Sequence, residues 1–149
     1  MQDSEVNILL VEDNENDAEL ILRAFSKHDI PLFVKRLRDG EEALDFIFCK
    51  GDFQDRYPAD PPDFVLLDIK LPKVDGLEVL RRIRTHEETR YLPVVMLTSS
   101  HEDKDLRESY DLGVNSYIIK PVDFEMFTKA INNVGHYWVA LNQQPYKDS

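Results

Sequence analysis

The chain has 149 residues, with 18 Lys or Arg against 29 Asp or Glu, so its formal net charge is −11. This acidity argues against gripping nucleic acid or anionic membrane surfaces, because both require a basic face. Hydrophobic residues make up 42% of the sequence and aromatic residues 10%. That content is enough for a packed core and excludes a disordered chain.

The length predicts one domain spanning residues 1–149. No apolar run approaches the roughly 18 residues that a membrane span needs, and the start is acidic where a signal peptide would be basic. The single cysteine, Cys49, excludes an intramolecular disulfide and a Cys-cluster zinc site. We therefore expect a cytoplasmic protein.

Two kinds of segment alternate along the chain. Short, nearly continuous apolar runs are typical of strands that are buried on both faces of a parallel sheet. These runs occupy residues 6–11, 33–37, 64–68, 94–97 and 116–119. Each is followed by apolar residues at helical spacing. The pattern predicts an α/β domain with a doubly wound, five-stranded parallel sheet and helices on both of its faces.

One predicted connection is longer than is usual in an α/β domain. Residues 49–62 separate the second helix from the third strand, whereas connections in α/β domains usually have about 2–6 residues. Either the segment is a tolerated surface excursion or it is a loop that recognises a partner. The sequence leaves both interpretations open.

Polar residues stand where the predicted strands end. Glu12 and Asp13 follow the first strand, Asp68 ends the third, Thr98 follows the fourth and Lys120 follows the fifth. The carboxyl ends of parallel strands meet at one edge of the sheet, where ligands bind. Carboxylates gathered there repel one another unless a cation compensates. Mg²⁺ suits such oxygen ligands, whereas zinc would favour His or Cys, so we predict a Mg²⁺ site.

Each of these residues also has an ordinary structural explanation when taken alone. Glu12, Asp13 and Thr98 could cap the helices that follow them. Lys120 could be a solvated lysine, and Pro121 is a common residue at a helix start. The joint pattern across four strand ends is what favours a functional site.

Four motifs make the chain resemble the receiver domains of two-component response regulators. They are VEDN at 11–14, LLDIKLPKVDG at 66–76, LTSS at 97–100 and YIIKP at 117–121. The resemblance covers residues 6–138 approximately, leaving an extension of the last helix and a tail at 139–149. It implies the flavodoxin-like strand order 2-1-3-4-5. The long connection and the LGVNSYIIKPVDFEMF segment look most similar to single-domain response regulators of cyanobacterial and other bacterial phytochromes.

The resemblance assigns the acidic residues. Asp68 would be the phosphoacceptor. Asp13 and the Asp68 side chain would bind Mg²⁺ together with the backbone carbonyl of Lys70, and Glu12 would assist through a metal-bound water.

The same resemblance assigns the remaining site residues. Lys120 would pair with the phosphoryl group, and Thr98 would hydrogen-bond to it after transfer. Tyr117 would be the aromatic switch residue. The bond between Lys120 and Pro121 would be cis.

The family implies a phosphorelay function. A histidine kinase, of the light-responsive phytochrome type if the narrower resemblance holds, would supply the phosphoryl group. The protein would phosphorylate and dephosphorylate itself rather than act as a turnover enzyme. Because only a short tail follows the last helix, the output would be protein contact or onward phosphotransfer to a downstream partner.

The last predicted helix carries a stripe of apolar residues with heptad-like spacing. Its members are Phe124, Phe127, Ile131, Val134, Trp138 and Leu141. The stripe either packs on the sheet or meets a partner. We expect Phe124, Trp138 and Leu141 to contribute to a homodimer through the face formed by the fourth helix, the fifth strand and the fifth helix.

The sequence is also compatible with other functions. A receiver that takes no phosphate and serves as a docking or dimerisation module is the main alternative, although retention of all the site residues argues against it. A phosphatase with an aspartyl nucleophile would need a second acid two residues after Asp68, where Lys70 stands. His101 could be a second phosphorylation site, or a solvated loop residue.

Overall fold

The computed structural model describes residues 8–27, 33–56, 61–98, 103–120 and 123–130. The strands are β1 (Ile8–Val11), β2 (Val34–Leu37), β3 (Phe64–Asp68), β4 (Val94–Thr98) and β5 (Ser116–Ile119). The helices are α1 (Glu15–Ser26), α2 (Gly40–Ile47), α3 (Gly76–Thr85), α4 (Asp103–Asp111) and α5 (Phe124–Ala130). Within these ranges, none of the helices has the length and apolar character needed to cross a membrane.

All five strands are parallel and lie in the order β2-β1-β3-β4-β5. The doubly wound sheet and its expected strand order are therefore confirmed. The chain first winds from β1 outward to β2 and then returns to β3 on the other side of β1. Ligands of such sheets bind where the winding reverses, which here is the edge that follows Val11 and Leu67.

The core consists of two layers, one on each face of the sheet. Leu9 and Val11 belong to the layer under α2 and α3, whereas Ile8 and Leu10 belong to the layer under α1 and α5. All four side chains are fully buried. Because successive strand residues point to opposite faces, a strand covered on both sides has to be apolar at every position.

Three helices begin at a capping residue placed shortly after a strand. The side chains of Asn14, Asp39 and Asp75 each accept a hydrogen bond from the backbone N–H three residues later. Such a bond satisfies one of the unpaired donors at a helix start. The N-cap of α1 is therefore Asn14 rather than Glu12 or Asp13, and the Glu12 carboxylate accepts a hydrogen bond from the Asn14 N–H at 3.1 Å.

The first part of the long connection is anchored on α2. After a left-handed Cys49 (φ 56°), the chain forms a short 3₁₀ turn at Gly51–Phe53. The ring of Phe53 lies 5.1 Å from that of Phe46, and the Arg56 guanidinium stacks 3.8 Å from the centroid of the same Phe46 ring. Arg56 also donates to the Phe46 carbonyl. Residues 57–60 lie outside the described ranges, so partner recognition by this loop stays a prediction.

Candidate functional site

Three carboxylates converge at the carboxyl ends of β1 and β3, as predicted. Glu12, Asp13 and Asp68 each offer an oxygen, and these oxygens lie within 4.8 Å of one another. Glu12 is fully buried and Asp68 is 5% exposed, whereas Asp13 is exposed. The cluster therefore has a buried floor and one open side, through which an ion or a phosphodonor could enter.

Lys120 is the cation of this cluster. Its Nζ lies 2.6 Å from Glu12 Oε1, 2.8 Å from Asp68 Oδ2 and 3.0 Å from Asp17 Oδ2. Burial lowers the pKa of Lys120, but the contacts with Asp68, Glu12 and Asp17 outweigh burial and raise it overall. The lysine side chain is only 11% exposed and stays charged, so the solvated-lysine explanation is wrong.

Glu12 lies in an environment that disfavours its charged form. Burial raises its pKa, and the neighbouring Asp68 carboxylate raises it further, whereas the contact with Lys120 lowers it. The net result is a pKa of about 7. The contact between Lys120 and Glu12 Oε1 is an ion pair without hydrogen-bond alignment. One lysine therefore does not fully compensate the acids, and the cluster has capacity for a further cation.

The donor set suits a hard divalent ion. The oxygens are carboxylates, and Mg²⁺ or Mn²⁺ prefers such ligands with water completing the shell. The backbone N–H of Lys70 donates to Asp68 Oδ1 at 3.0 Å, while Lys120 holds Oδ2. These two bonds fix the rotation of the Asp68 carboxylate. The role of the Lys70 carbonyl as a ligand stays a prediction.

Thr98 ends β4 beside this cluster, and its side chain is fully buried. Its backbone carbonyl accepts a hydrogen bond from the Lys120 N–H at 2.7 Å, which ties the end of β4 to the end of β5. Tyr117 lies in β5 opposite Met96, but its side chain is outside the described part of the structure. Its switch role therefore stays a prediction.

Other assignments depend on residues beyond the described ranges. Pro121, Trp138 and Leu141 all lie outside them, as does His101. Phe124 is half-buried and packs against the core layer under α1 and α5. Its place in an interface, like those of Trp138 and Leu141, stays a prediction.

Asp17 is a site residue that the strand-end argument missed. It stands in the first turn of α1, and its carboxylate is the third partner of Lys120. An acid in the first turn of a helix is also expected from the helix dipole alone, so the sequence carries no signal that singles out Asp17.

Gly76 is a second residue that was missed. It begins α3, and its backbone N–H donates to the Ile69 carbonyl at 2.7 Å. A Cβ at this position would lie 2.1 Å from the Asp68 carbonyl oxygen. A glycine is therefore required so that α3 can begin against the strand end that carries Asp68.

This combination of sheet order, acidic cluster and strand-end lysine belongs to a known class of protein. Residues 8–132 match the family model described as the response regulator receiver domain. The chain belongs to the response regulator receiver domain family and is a response regulator of phosphorelay signalling.

Individual proteins of this class are similar to the chain in sequence and in structure. The chain is 44% identical to the probable methanogenesis regulatory protein FilR2 of Methanothrix harundinacea (strain 6Ac), with 93% of this chain and 86% of that protein covered. The structure of the bacteriophytochrome response regulator AtBRR is 51% identical with a TM-score of 0.74, covering 93% and 99% of the two chains. The Mn²⁺-bound response regulator Rcp1, a protein of Synechocystis sp. (strain ATCC 27184 / PCC 6803 / Kazusa), is 34% identical with a TM-score of 0.80, covering 93% and 97%.

The raised pKa of Glu12 predicts that the protein without divalent metal is less stable at pH 8 than at pH 6. The folded state holds the Glu12 proton up to a pKa of about 7, whereas an ordinary Glu releases it near 4.5. Stability therefore falls as the pH rises from 4.5 through 7, and the loss between pH 6 and pH 8 is about 1 kcal/mol. The free energy of unfolding, measured with urea in EDTA at pH 6 and at pH 8, tests this loss.

Glu12→Gln is the control for this measurement, since other groups also titrate in that range. We expect the variant to lack the Glu12 part of the pH dependence and to be more stable than the wild type at pH 8. An equal fall in both proteins would assign the effect to other groups.

Proposed function

We propose that Asp68 accepts a phosphoryl group from a histidine kinase in a reaction that requires Mg²⁺. The observation that carries this proposal is the position of the Asp68 carboxylate, which lies within the three-acid cluster with its Oδ2 held 2.8 Å from Lys120 Nζ. Burial of the neighbouring groups keeps that arrangement in place before the phosphodonor arrives.

The reaction is nucleophilic substitution at phosphorus. A carboxylate oxygen of Asp68 forms a bond to the phosphorus of a phosphohistidine, the P–N bond breaks, and the imidazole leaves with the electron pair and takes up a proton. The transition state is loose, so positioning and charge stabilisation supply most of the catalysis. Mg²⁺ bound at Glu12, Asp13 and Asp68 would neutralise charge on the phosphoryl oxygens. Lys120, which also contacts Asp17 of α1, would stabilise the same negative charge.

The phosphorylated state would be recognised by new hydrogen bonds. The product gains about −1.5 to −2 charges at one position, by analogy with other phosphorylated residues. The Thr98 hydroxyl would donate to a phosphoryl oxygen and leave space for Tyr117 to turn inward. Shifting the ratio of switched to unswitched protein from 1:99 to 99:1 needs about 5.5 kcal/mol of extra stabilisation of the switched state. Two or three charge-assisted hydrogen bonds of about 1.5–3 kcal/mol each can supply that difference.

Two partners are proposed, a kinase from the similarity to known response regulators and a second copy of the chain from exposed apolar side chains. Similarity to the bacteriophytochrome response regulator AtBRR supports a phytochrome-type kinase and therefore a light-dependent signal, which the protein would receive in the cytoplasm. The elements α4, β5 and α5 each carry one exposed apolar side chain, namely Tyr110, Ile119 and Met126, with exposures of 54%, 41% and 72%. They support a homodimer through these elements. In this scheme the protein signals by contact, and it phosphorylates and dephosphorylates itself rather than acting as a turnover enzyme.

The test is the intact mass of the protein after incubation with Mg²⁺ and acetyl phosphate. We expect the wild type to gain one phosphoryl group and Asp68→Asn to gain none. Asp52→Asn, which removes an exposed acid of the 3₁₀ turn, is the matched control and should behave as the wild type. EDTA should abolish the gain. Sedimentation of the same samples tests the homodimer.

Two results would contradict the proposal. A phosphoryl group on Asp68→Asn would assign the acceptor to another residue. A wild type that binds Mg²⁺ yet gains no mass, either from acetyl phosphate or from a phosphorylated histidine kinase, would favour the docking module instead.

A further inference from the structure

We infer that Arg36 is a positioning residue for the metal site, because its guanidinium holds the peptide that joins Glu12 to Asp13. The inference rests on the proposed function in one respect, namely that these acids bind a divalent ion. Arg36 itself touches neither the Asp68 carboxylate nor the proposed ion. It acts through the backbone of the two acids that follow β1.

The contacts of Arg36 are arranged around one carbonyl oxygen. It stands on β2 opposite Leu10 of β1, and its side chain extends past the end of β1. Nε and Nη2 lie 3.1 Å and 2.8 Å from the carbonyl oxygen of Glu12. Nη1 lies 3.1 Å from both carboxylate oxygens of Glu15. The Arg36 side chain is 13% exposed, so its bonds to the Glu12 carbonyl are partly shielded from water, whereas Glu15 is exposed.

This carbonyl matters because of the peptide to which it belongs. The Glu12 N–H donates to the Leu37 carbonyl at 3.0 Å, so both backbone polar groups of Glu12 are held by β2 or by a side chain from β2. The N–H bond restrains the Val11–Glu12 peptide, and the two bonds from Arg36 restrain the Glu12–Asp13 peptide. Asp13 is exposed, so its backbone rather than its packing sets the direction of its carboxylate. Groups that orient metal ligands commonly change metal affinity by 10- to 100-fold when removed.

Arg38 is a control position that distinguishes the proposed role of Arg36 from a general effect of positive charge. Both arginines contact Glu15, whose pKa is lowered by the hydrogen bonds from Arg36 and Arg38. Arg38 lies 3.0 Å from Glu15 through Nη2 and 3.2 Å through Nε, and it is 60% exposed. Its guanidinium makes no bond to the Glu12 carbonyl in the described part of the chain. The two positions therefore share a charge and a partner but differ in the carbonyl contact.

The test is calorimetric titration of the full chain with Mg²⁺, without any phosphodonor. We expect Arg36→Met to raise the Kd for Mg²⁺ by about 10-fold and Arg36→Lys, which keeps the charge but not the two-bond geometry, by about 3-fold. Arg38→Met should stay within about 2-fold of the wild type. With acetyl phosphate, Arg36→Met should react slowly at low Mg²⁺ and recover when Mg²⁺ is saturating.

Each contrary outcome has a distinct meaning. Wild-type Mg²⁺ affinity in a folded Arg36→Met or Arg36→Lys variant would overturn the inference, and so would equal weakening by Arg38→Met. A wild type that binds Mg²⁺ but takes up no phosphoryl group would defeat the proposed function while the Kd comparison still tests Arg36. Absence of Mg²⁺ binding by the wild type would overturn both. Urea unfolding of each variant identifies a loss of fold.

Discussion

Replacing Lys120 with Met is expected to destabilise the protein in EDTA by about 3 kcal/mol. The Lys120 ammonium lies 2.6–3.0 Å from three carboxylates, two of which belong to buried residues. Its removal leaves their charge uncompensated away from water. The pKa of Glu12 should then rise further, because the contact with Lys120 is what holds it down.

The same variant should depend more strongly on Mg²⁺ than the wild type. With the lysine absent, a divalent ion becomes the counter-charge of the cluster, so added Mg²⁺ should recover more stability in Lys120→Met than in the wild type. Urea unfolding in EDTA and in saturating Mg²⁺ measures both effects. Lys129→Met, on the exposed side of α5, is the control and should change little. Equal stability of Lys120→Met and the wild type in EDTA would show that the acids are neutral without the lysine.

Replacing Gly76 with Ala is expected to cost about 3 kcal/mol of stability and to slow phosphorylation of Asp68. The added Cβ would lie 2.1 Å from the Asp68 carbonyl oxygen and 2.7 Å from the Ile69 Cα. Both are backbone atoms, so α3 or the end of β3 must move. Either movement displaces the carboxylate that attacks phosphorus. Urea unfolding and the initial rate of phosphorylation by acetyl phosphate measure the two effects.

Gly113→Ala is a glycine control that lies far from the reaction. Gly113 has a left-handed φ of 84°, and its added Cβ would lie 3.1 Å from the Arg84 Nε, a side-chain atom rather than backbone. We expect a cost of about 1 kcal/mol, from the backbone conformation, and an unchanged rate of phosphorylation. If Gly76→Ala behaved like this control, the close approach between α3 and β3 would not constrain the acceptor.

The sheet could be predicted closely because its strands are covered on both faces. Burial at every position produces an uninterrupted apolar run, and the predicted third strand at 64–68 coincides with β3. The same runs carry no information about which strands are neighbours, since each is apolar on both sides. The order of the strands came instead from the motifs shared with the receiver family.

The site could be predicted only where its residues follow a strand. Glu12, Asp68 and Lys120 stand at strand ends, and a charge that directly follows a buried run is informative. Asp17 and Arg36 could not be predicted in this way, because a charged residue on a helix or on an edge strand is usually solvated. Their roles depend on distances across elements, as in the contact of Asp17 with Lys120, which no local pattern reports.

The alternation of side chains in β3 also limits how this chain can change in length. Phe64 and Leu66 point into the core layer under α1 and α5, so Asp68, two residues further on, faces the side from which Asp17 reaches Lys120. A one-residue insertion or deletion within β3 would turn the Asp68 side chain to the opposite face. The sequence of β3 can therefore change by substitution, but a change in its length would move the acceptor away from Lys120.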